Sequence, residues 1–349
     1  MEWKLVSSVA NPWGKVPLSA GGEVVNPRVQ DYMAKVAAAA ARRDCVSRRH
    51  HYVPQAYMKA WSEDSKRIRV LDTVNGLDKL RGLRATCVQE NFYRVSGSNG
   101  EAHNQAEAML AVIDEETARL LRMLRGWASG DDVEFDDFMS LAVVLAFQRN
   151  RTPQTKRLLD AHSAWLRERA LQEARPLTTA GFVATLFRSA YSAADEHSTR
   201  QLELWDDPEG RVITCDQPVI LSSDSSGRPP STLTSQHLWW PISPYRVLVL
   251  SLDLQPQKVV HRTMDRREVD RLRAAVIRNA ESAIIALPND TDLPAGKKLR
   301  RRPQVVVDCK RVNLQKQQCQ MSFSSQYGSS TFDRACQPLC AIEPRAAAD

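Results

Sequence analysis

MLAVIDEETARLLRML, residues 109–124, decides the reading of this chain. Met109, Leu110, Ile113, Thr117, Leu120, Leu121 and Leu124 recur at the i, i+3, i+4, i+7 spacing of one helix face. Gly126 and Gly130 punctuate its end, and Asp131 and Asp132 are placed to cap the next helix. In that helix Phe138, Leu141, Ala142 and Leu145 form the apolar stripe. Pro153 lies just past its end or in the first turn of another helix, whose pattern continues through Leu158, His162, Trp165 and Arg169. Residues 182–191 add one more.

On both sides of this helical block the period falls to two. Ile68 and Val70 alternate with their neighbours ahead of Asn75-Gly76, which predicts a hairpin, and residues 91–95 read as a further strand. After the block, Leu202 and Leu204 lead into the turn Asp207-Pro208-Glu209-Gly210, and residues 211–214 read as a buried strand. Residues 238–242 and 247–252 read as two more. Asp265 with Glu268 forms a capping box before a helix given its apolar face by Val269, Leu272, Val276, Ile284 and Ile285. The expected fold is therefore α+β: an N-terminal β-hairpin, a central helical layer, and a C-terminal strand group with a closing helix. Residues 48–287 are expected to form one domain. Residues 1–47 read as an irregular arm with an Ala-rich helix over 31–43. Residues 288–349 read as a low-order basic and polar tail with one strand at Val305-Val306-Val307.

The composition is that of an ordinary globular protein, with 43% hydrophobic and 26% charged residues in a chain of 349. Lys and Arg total 48 against 41 Asp and Glu, a net charge of +7. Basic runs at Arg42, Arg43, Arg48 and Arg49 and at Lys297, Lys298, Arg300, Arg301 and Arg302 suit a polyanion such as nucleic acid, or equally a solvated surface. No stretch approaches the ~20 apolar residues of a membrane span, and no secretory signal is visible. A cytoplasmic location is expected, with no membrane partner. Cys45, Cys87, Cys215, Cys309, Cys319, Cys336 and Cys340 read as reduced thiols, so no disulfide-linked partner is expected. No metal site is assigned, and the cofactor is left open.

Four stretches break the local pattern. In Arg49-His50-His51-Tyr52-Val53-Pro54-Gln55 a histidine could serve as base or acid, but neighbouring residues do not share a face. One core and one surface histidine is the plainer reading. Gln148 and Arg151 extend the apolar stripe of their helix, where buried polar groups need partners, either a ligand anion or a structural Asp. Asp216 leaves a buried strand just before Pro218, a place for a site residue or for a turn-forming Asp. Asn279 points inward, as a tie between elements or as a site group. The nucleophile-elbow, phosphate-loop, dinucleotide and zinc-peptidase signatures are missing, so those readings lack motif support.

His51-Tyr52-Val53-Pro54-Gln55, Glu90-Asn91-Phe92-Tyr93, Gln148-Arg149-Asn150-Arg151-Thr152-Pro153, Asp216-Gln217-Pro218-Val219, Pro241-Ile242-Ser243-Pro244 and Asn279-Ala280, in this order, resemble the bacterial domain of unknown function 4238 family. The resemblance runs over residues 50–287 and implies no established activity. In that family the fourth motif usually reads Ser-Asp-Asn-Pro, so Cys215 and Gln217 depart from it while Asp216 and Pro218 are kept.

Two functions from different classes follow. One is a hydrolase or nuclease-like enzyme gathering His51, Gln55, Gln148, Arg151 and Asp216, with His51 as base or acid, Arg151 holding an anionic group, and Asp216 orienting His51 or binding a cation. The other is a non-catalytic binding or regulatory module, in which these residues form a closed structural network and the basic flanks contact nucleic acid. An enzyme needs its cluster at the floor of a recess, whereas a structural network is fully paired.

Overall fold

A computed structural model describes residues 27–43, 46–96, 101–168, 176–222, 235–252 and 258–294, together with the backbone course of 304–313 and 318–326. The chain opens with α1 (Pro27–Ala40), which lays Val29, Met33, Val36 and Ala40 on the helical layer. The Ala-rich helix is thus part of the main core and not a detached arm. A short strand β1 (Arg49–His51) and a single turn of helix, α2 (Gln55–Met58), follow. The expected hairpin is present as β2 (Arg67–Asp72) and β3 (Leu77–Gly82), and Gly76 takes the left-handed φ of 70° that its turn requires. Then come β4 (Val88–Glu90), β5 (Val95–Ser96) and β6 (Ala102–His103).

Residues 91–95 are not the strand their composition suggested. Asn91 adopts φ 54° and begins a turn that ends in the two-residue β5. Phe92 and Tyr93 stack there into an aromatic plug with Phe182.

The helical block is α3 (Gln105–Leu124), α4 (Phe135–Asn150), α5 (Pro153–Glu168) and α6 (Thr179–His197). All seven apolar-face residues read in 109–124 are buried. In α4 the stripe dissolves, because every residue from Phe138 to Gln148 is buried. The helix lies amid α1, α3 and α6, so no side of it is left for solvent. Glu134, not Asp131 or Asp132, occupies the N-cap position of α4; Asp131 instead accepts from the Ala128 N–H at 2.7 Å.

The C-terminal part holds β7 (Gln201–Asp206), β8 (Thr214–Cys215), β9 (Ile220–Leu221), β10 (His237–Ser243), β11 (Arg246–Ser251), β12 (Val260–Thr263), α7 (Arg266–Asn279) and β13 (Ala283–Ala286). A five-stranded sheet runs β12-β7-β11-β10-β9, with β12 parallel to β7, and a four-stranded sheet runs β3-β2-β13-β8. Of residues 211–214, only Thr214 is in a strand, although Val212 and Ile213 are fully buried. The capping box at Asp265 and Glu268 forms as read. Ile284 and Ile285 belong to β13, not to the helix.

Alternate residues explain why these strands are apolar throughout. On β11, Leu248 and Leu250 face the helical core, while Val247 and Val249 face a second core under α7; Ile285 and Ile284 divide in the same way on β13. The boundary expected at Leu287 falls inside ordered chain. Leu293 is buried in the second core, and Asp290 pairs with Arg273 at 2.8 Å. Farther on, β14 (Gln304–Asn313) and β15 (Gln318–Gln326) form an antiparallel hairpin beside α5, where a single strand was expected. None of the described helices is long and apolar enough to cross a membrane.

Candidate functional site

Strand β1 sets the two histidines on opposite faces, as alternation requires. His50 turns into the core. Its Nδ1 accepts the Tyr93 N–H at 3.0 Å, so the other ring nitrogen carries the proton and donates to the Ser47 carbonyl at 3.0 Å. Its ring stacks on Tyr93, and burial lowers its pKa. Both nitrogens are committed, which leaves His50 a structural residue. His51 is half-buried, and its Nε2 is buried with no partner among the described residues. Burial first, then the Arg49 and Arg151 cations, push its pKa down, so it is neutral at pH 7.

Gln148 and Arg151 meet at i, i+3 at the end of α4. Gln148 Oε1 accepts from Arg151 at 2.9 Å, and its amide donates to the Tyr52 carbonyl at 3.0 Å. This links the first and third family motifs. The Tyr93 hydroxyl donates to the Arg151 carbonyl at 2.5 Å, which brings in the second. The Arg151 guanidinium is 1% exposed and donates to Asp114 at 2.6 Å, yet its Nε has no partner among the described residues.

Asp114 was not anticipated, nor was Glu107. They lie seven residues apart along one edge of α3, on the border of its apolar face. Asp114 keeps 29% of its side chain exposed, so the cluster reaches solvent there. Burial raises its pKa against the pull of Arg151. Glu107 is more perturbed: burial, then the Asp114 charge, lift its carboxyl to about 8 despite Arg151, and its Oε2 is buried without a partner among the described residues. At neutral pH it is mostly protonated. Around Arg151 the protein thus gathers a neutral carboxylic acid, a neutral imidazole and one unused guanidinium N–H.

Two residues read as site members stand apart. Gln55 is exposed at the first position of α2, and its side chain makes no hydrogen bond among the described residues. Asp216 is 1% exposed, but its carboxylate accepts four hydrogen bonds: from the N–H groups of Glu281 (2.8 Å), Ser282 (2.7 Å) and Ala283 (3.1 Å) and from the Ser282 hydroxyl (2.7 Å). It bonds neither His51 nor Arg151 and cannot orient the histidine. Burial lifts it to about 6, against those donors. Asn279 is likewise a tie: its amide donates to the Gln217 carbonyl at 2.6 Å, and its carbonyl accepts from Gln154 at 3.0 Å. Gln217 in turn donates to the Arg149 carbonyl at 3.1 Å. Pro241 of the fifth motif accepts the Tyr57 hydroxyl at 2.5 Å. Among the described residues no three of His, Cys, Asp or Glu gather as a metal-binding set.

Five of the six motifs therefore form one connected frame, and the fifth in chain order is tied to Tyr57, just past the first. The chain matches the family described as a protein of unknown function (DUF4238) over residues 49–290, and it belongs to that family. No curated protein and no solved structure matches it.

Proposed function

We propose that the cluster around Arg151 is the acid–base site of a hydrolase that acts on an anionic ester, a phosphodiester first among them. The observation behind this is the set of buried atoms left without a partner around one guanidinium: His51 Nε2, Glu107 Oε2 and Arg151 Nε. Buried polar atoms are almost always paired, and exceptions call for a ligand, a water or a chemical role. A base, an acid and a donor to developing negative charge are what such hydrolysis needs. His51 takes a proton from the attacking water as the water oxygen bonds to phosphorus. Arg151 Nε donates to a non-bridging oxygen. Glu107 gives its proton to the leaving oxygen as the ester bond breaks. Asp114 and Gln148 hold the guanidinium in place. The net charge of +7 and the exposed Arg42, Arg48 and Arg49 beside β1 favour a polyanionic substrate, whereas Arg43 is spent on Glu115.

Turnover of bis(p-nitrophenyl) phosphate and of RNA and DNA oligonucleotides tests this reading. His51→Asn and Glu107→Gln should each cost about 10²–10⁴-fold in kcat with a melting temperature no lower than that of the wild type. Unchanged turnover in both variants rejects the assignment. A second reading rests on the closure of the frame, since His50, Asp216 and Asn279 are fully engaged. In that case the protein binds nucleic acid through its basic surface without cleaving it, and binding falls steeply with salt at every sequence.

A further inference from the structure

A cleft opens farther along the same edge of α3. Glu107, Asp114, Ala118, Leu121 and Arg125 follow one another at spacings of seven, four, three and four residues. Asp114 and Ala118 are therefore one turn apart, about 6 Å along the axis. From Ala118 onward the edge borders a cleft of about 940 Å³, closed on its other sides by the end of α2 and by the turns after β7 and between β10 and β11. That volume suits a small organic ligand.

The chemistry of the walls is specific. Lys59, Arg122 and Arg125 line the cleft and make no ion pair or side-chain hydrogen bond among the described residues. The carbonyls at the end of α3, the usual partners of cations there, are already taken: Arg246 donates to Leu124 O at 2.8 Å and to Arg125 O at 3.4 Å. The lining carboxylates are neutralised as well, Asp206 by Arg246 and His261, and Asp207 by Arg211. The uncompensated charge in the cleft is therefore positive.

Tyr245 adds a flat surface. It is 55% exposed and has no aromatic or side-chain hydrogen-bond partner among the described residues. One side of its ring lies on Gly210, where a Cβ would fall 2.5 Å from the ring edge; Gly210 also has φ 69°. The backbone is cut away at Gly210 to seat a tyrosine that lines the cleft and stays more than half exposed. Ser65, Ser243 and Thr263 supply hydroxyls nearby, and Ala60, Leu121 and Pro244 supply apolar wall.

We infer that this cleft binds a nucleotide, its base stacked on Tyr245 and its phosphate held by Arg122, Arg125 and Lys59. The stacking face takes any planar ring, and the charge-assisted bonds select phosphate. The assignment stands apart from the acid–base reading of the Arg151 cluster, because none of these residues belongs to that cluster.

Calorimetric titration of the full chain with AMP, adenosine and inorganic phosphate tests it. AMP should bind at least about tenfold more tightly than either fragment. Arg122→Gln with Arg125→Gln should weaken AMP by about tenfold or more and leave adenosine unchanged. Tyr245→Ala should weaken AMP and adenosine together and leave inorganic phosphate unchanged. All three substituted side chains are exposed, so both variants should keep the wild-type melting temperature. Three results would each overturn the inference: no binding of millimolar AMP, AMP affinity indifferent to both variants, or binding confined to oligonucleotides.

Discussion

Arg151 and Asp216 are both 1% exposed and both sit in motifs of the family, yet their surroundings are finished differently. Asp216 accepts three backbone N–H groups and one hydroxyl, which clamp the start of β13 to the end of β8. Arg151 is paired to Asp114 and Gln148, but one of its own donors and two polar atoms around it stay orphaned. A saturated network lowers the energy of one backbone arrangement and has nothing left to offer a substrate. An unsaturated one costs stability at each orphan, by about 1–3 kcal/mol, and keeps donors and acceptors available. Burial and motif membership alone do not separate the two cases, nor does a lone unmet atom, since Gln217 Oε1 beside Asp216 is buried without a partner among the described residues; the gathering of three around one guanidinium does.

The largest expected effect tests how far the saturated side extends. Arg273 and Asp290 are buried together, at 7% and 8% exposure, and Asp290 also receives a bond from Arg69 through its carbonyl. Leu293 is buried beside them. A chain ending after Leu287 strands the Arg273 charge. It should be less stable, by about 3–5 kcal/mol, than a chain ending after Pro294, as measured by urea unfolding. Equal stabilities would mean that the closed frame ends at β13.

Next comes Asp216→Ala, which leaves three backbone N–H groups without an acceptor. A loss of about 3–4 kcal/mol is expected, with the turnover of each folded molecule unchanged. A fall in kcat at constant stability would break the comparison, because Asp216 would then belong to the chemistry.

These contrasts show which parts of the molecule the residues disclosed. The face of α3 was legible because one side of it meets solvent, and the 3.6 period survives wherever burial is one-sided. The hairpin at Asn75-Gly76 and the capping box at Asp265 were legible because each rests on a few adjacent residues. The stripe on α4 was illusory, since a helix enclosed all round has no preferred face. Residues 91–95 have strand composition, but Asn91 takes a left-handed φ, and their aromatics serve as a plug. The parallel strand β12 carries a burial pattern of exposed and half-buried residues, so no apolar alternation announced it. Of the site, Gln148 and Arg151 stood out as polar residues in apolar company. Glu107 and Asp114 did not: on an edge of α3 they look like ordinary solvent-facing acids. The one available signal was their spacing of seven, which keeps both on the border of the buried face.

Glu107→Gln sharpens the comparison through pH. An unfolded glutamate titrates near 4.3, while Glu107 in the folded chain titrates at about 8. Between those values the folded state holds a proton that the unfolded state has released, so this group lowers stability as pH rises from about 4.3 to about 8. Glutamine mimics the protonated form and removes the slope. The variant should gain stability over the wild type at pH 8, on the order of 2–4 kcal/mol allowing for solvent screening, and match it near pH 4. His197 works in the opposite sense. Burial drops its pKa to about 3, so acid removes stability from about 6.5 downward in both proteins. Chemical denaturation from pH 4 to 8.5 checks both limbs, and parallel curves for the two proteins would place Glu107 in ordinary solvent.

The smallest effect is the most discriminating. Asn279→Ala removes the 2.6 Å bond to the Gln217 carbonyl and should cost about 1–2 kcal/mol. Its value lies in two double-mutant cycles. Asn279 ends α7, and the loop that follows it supplies the Glu281, Ser282 and Ala283 N–H groups that bind Asp216. Gln217 is the neighbour of Asp216 in the chain. Once Asp216→Ala has released that loop, the Asn279 amide no longer has a fixed acceptor, and its removal should cost less than it does alone. A coupling of about 0.5–3 kcal/mol is therefore expected. The Arg151 cluster does not share that loop: Glu107 sits on α3 and interacts with Asp114 and Arg151. Asn279→Ala and Glu107→Gln should add to within about 0.5 kcal/mol, measured at pH 5, where Glu107 is protonated and the substitution is closest to silent. Strong coupling in the second cycle would join the two networks into one, and the unmet hydrogen bonds around Arg151 would then be better explained as slack in a structural hub than as groups held ready for a substrate.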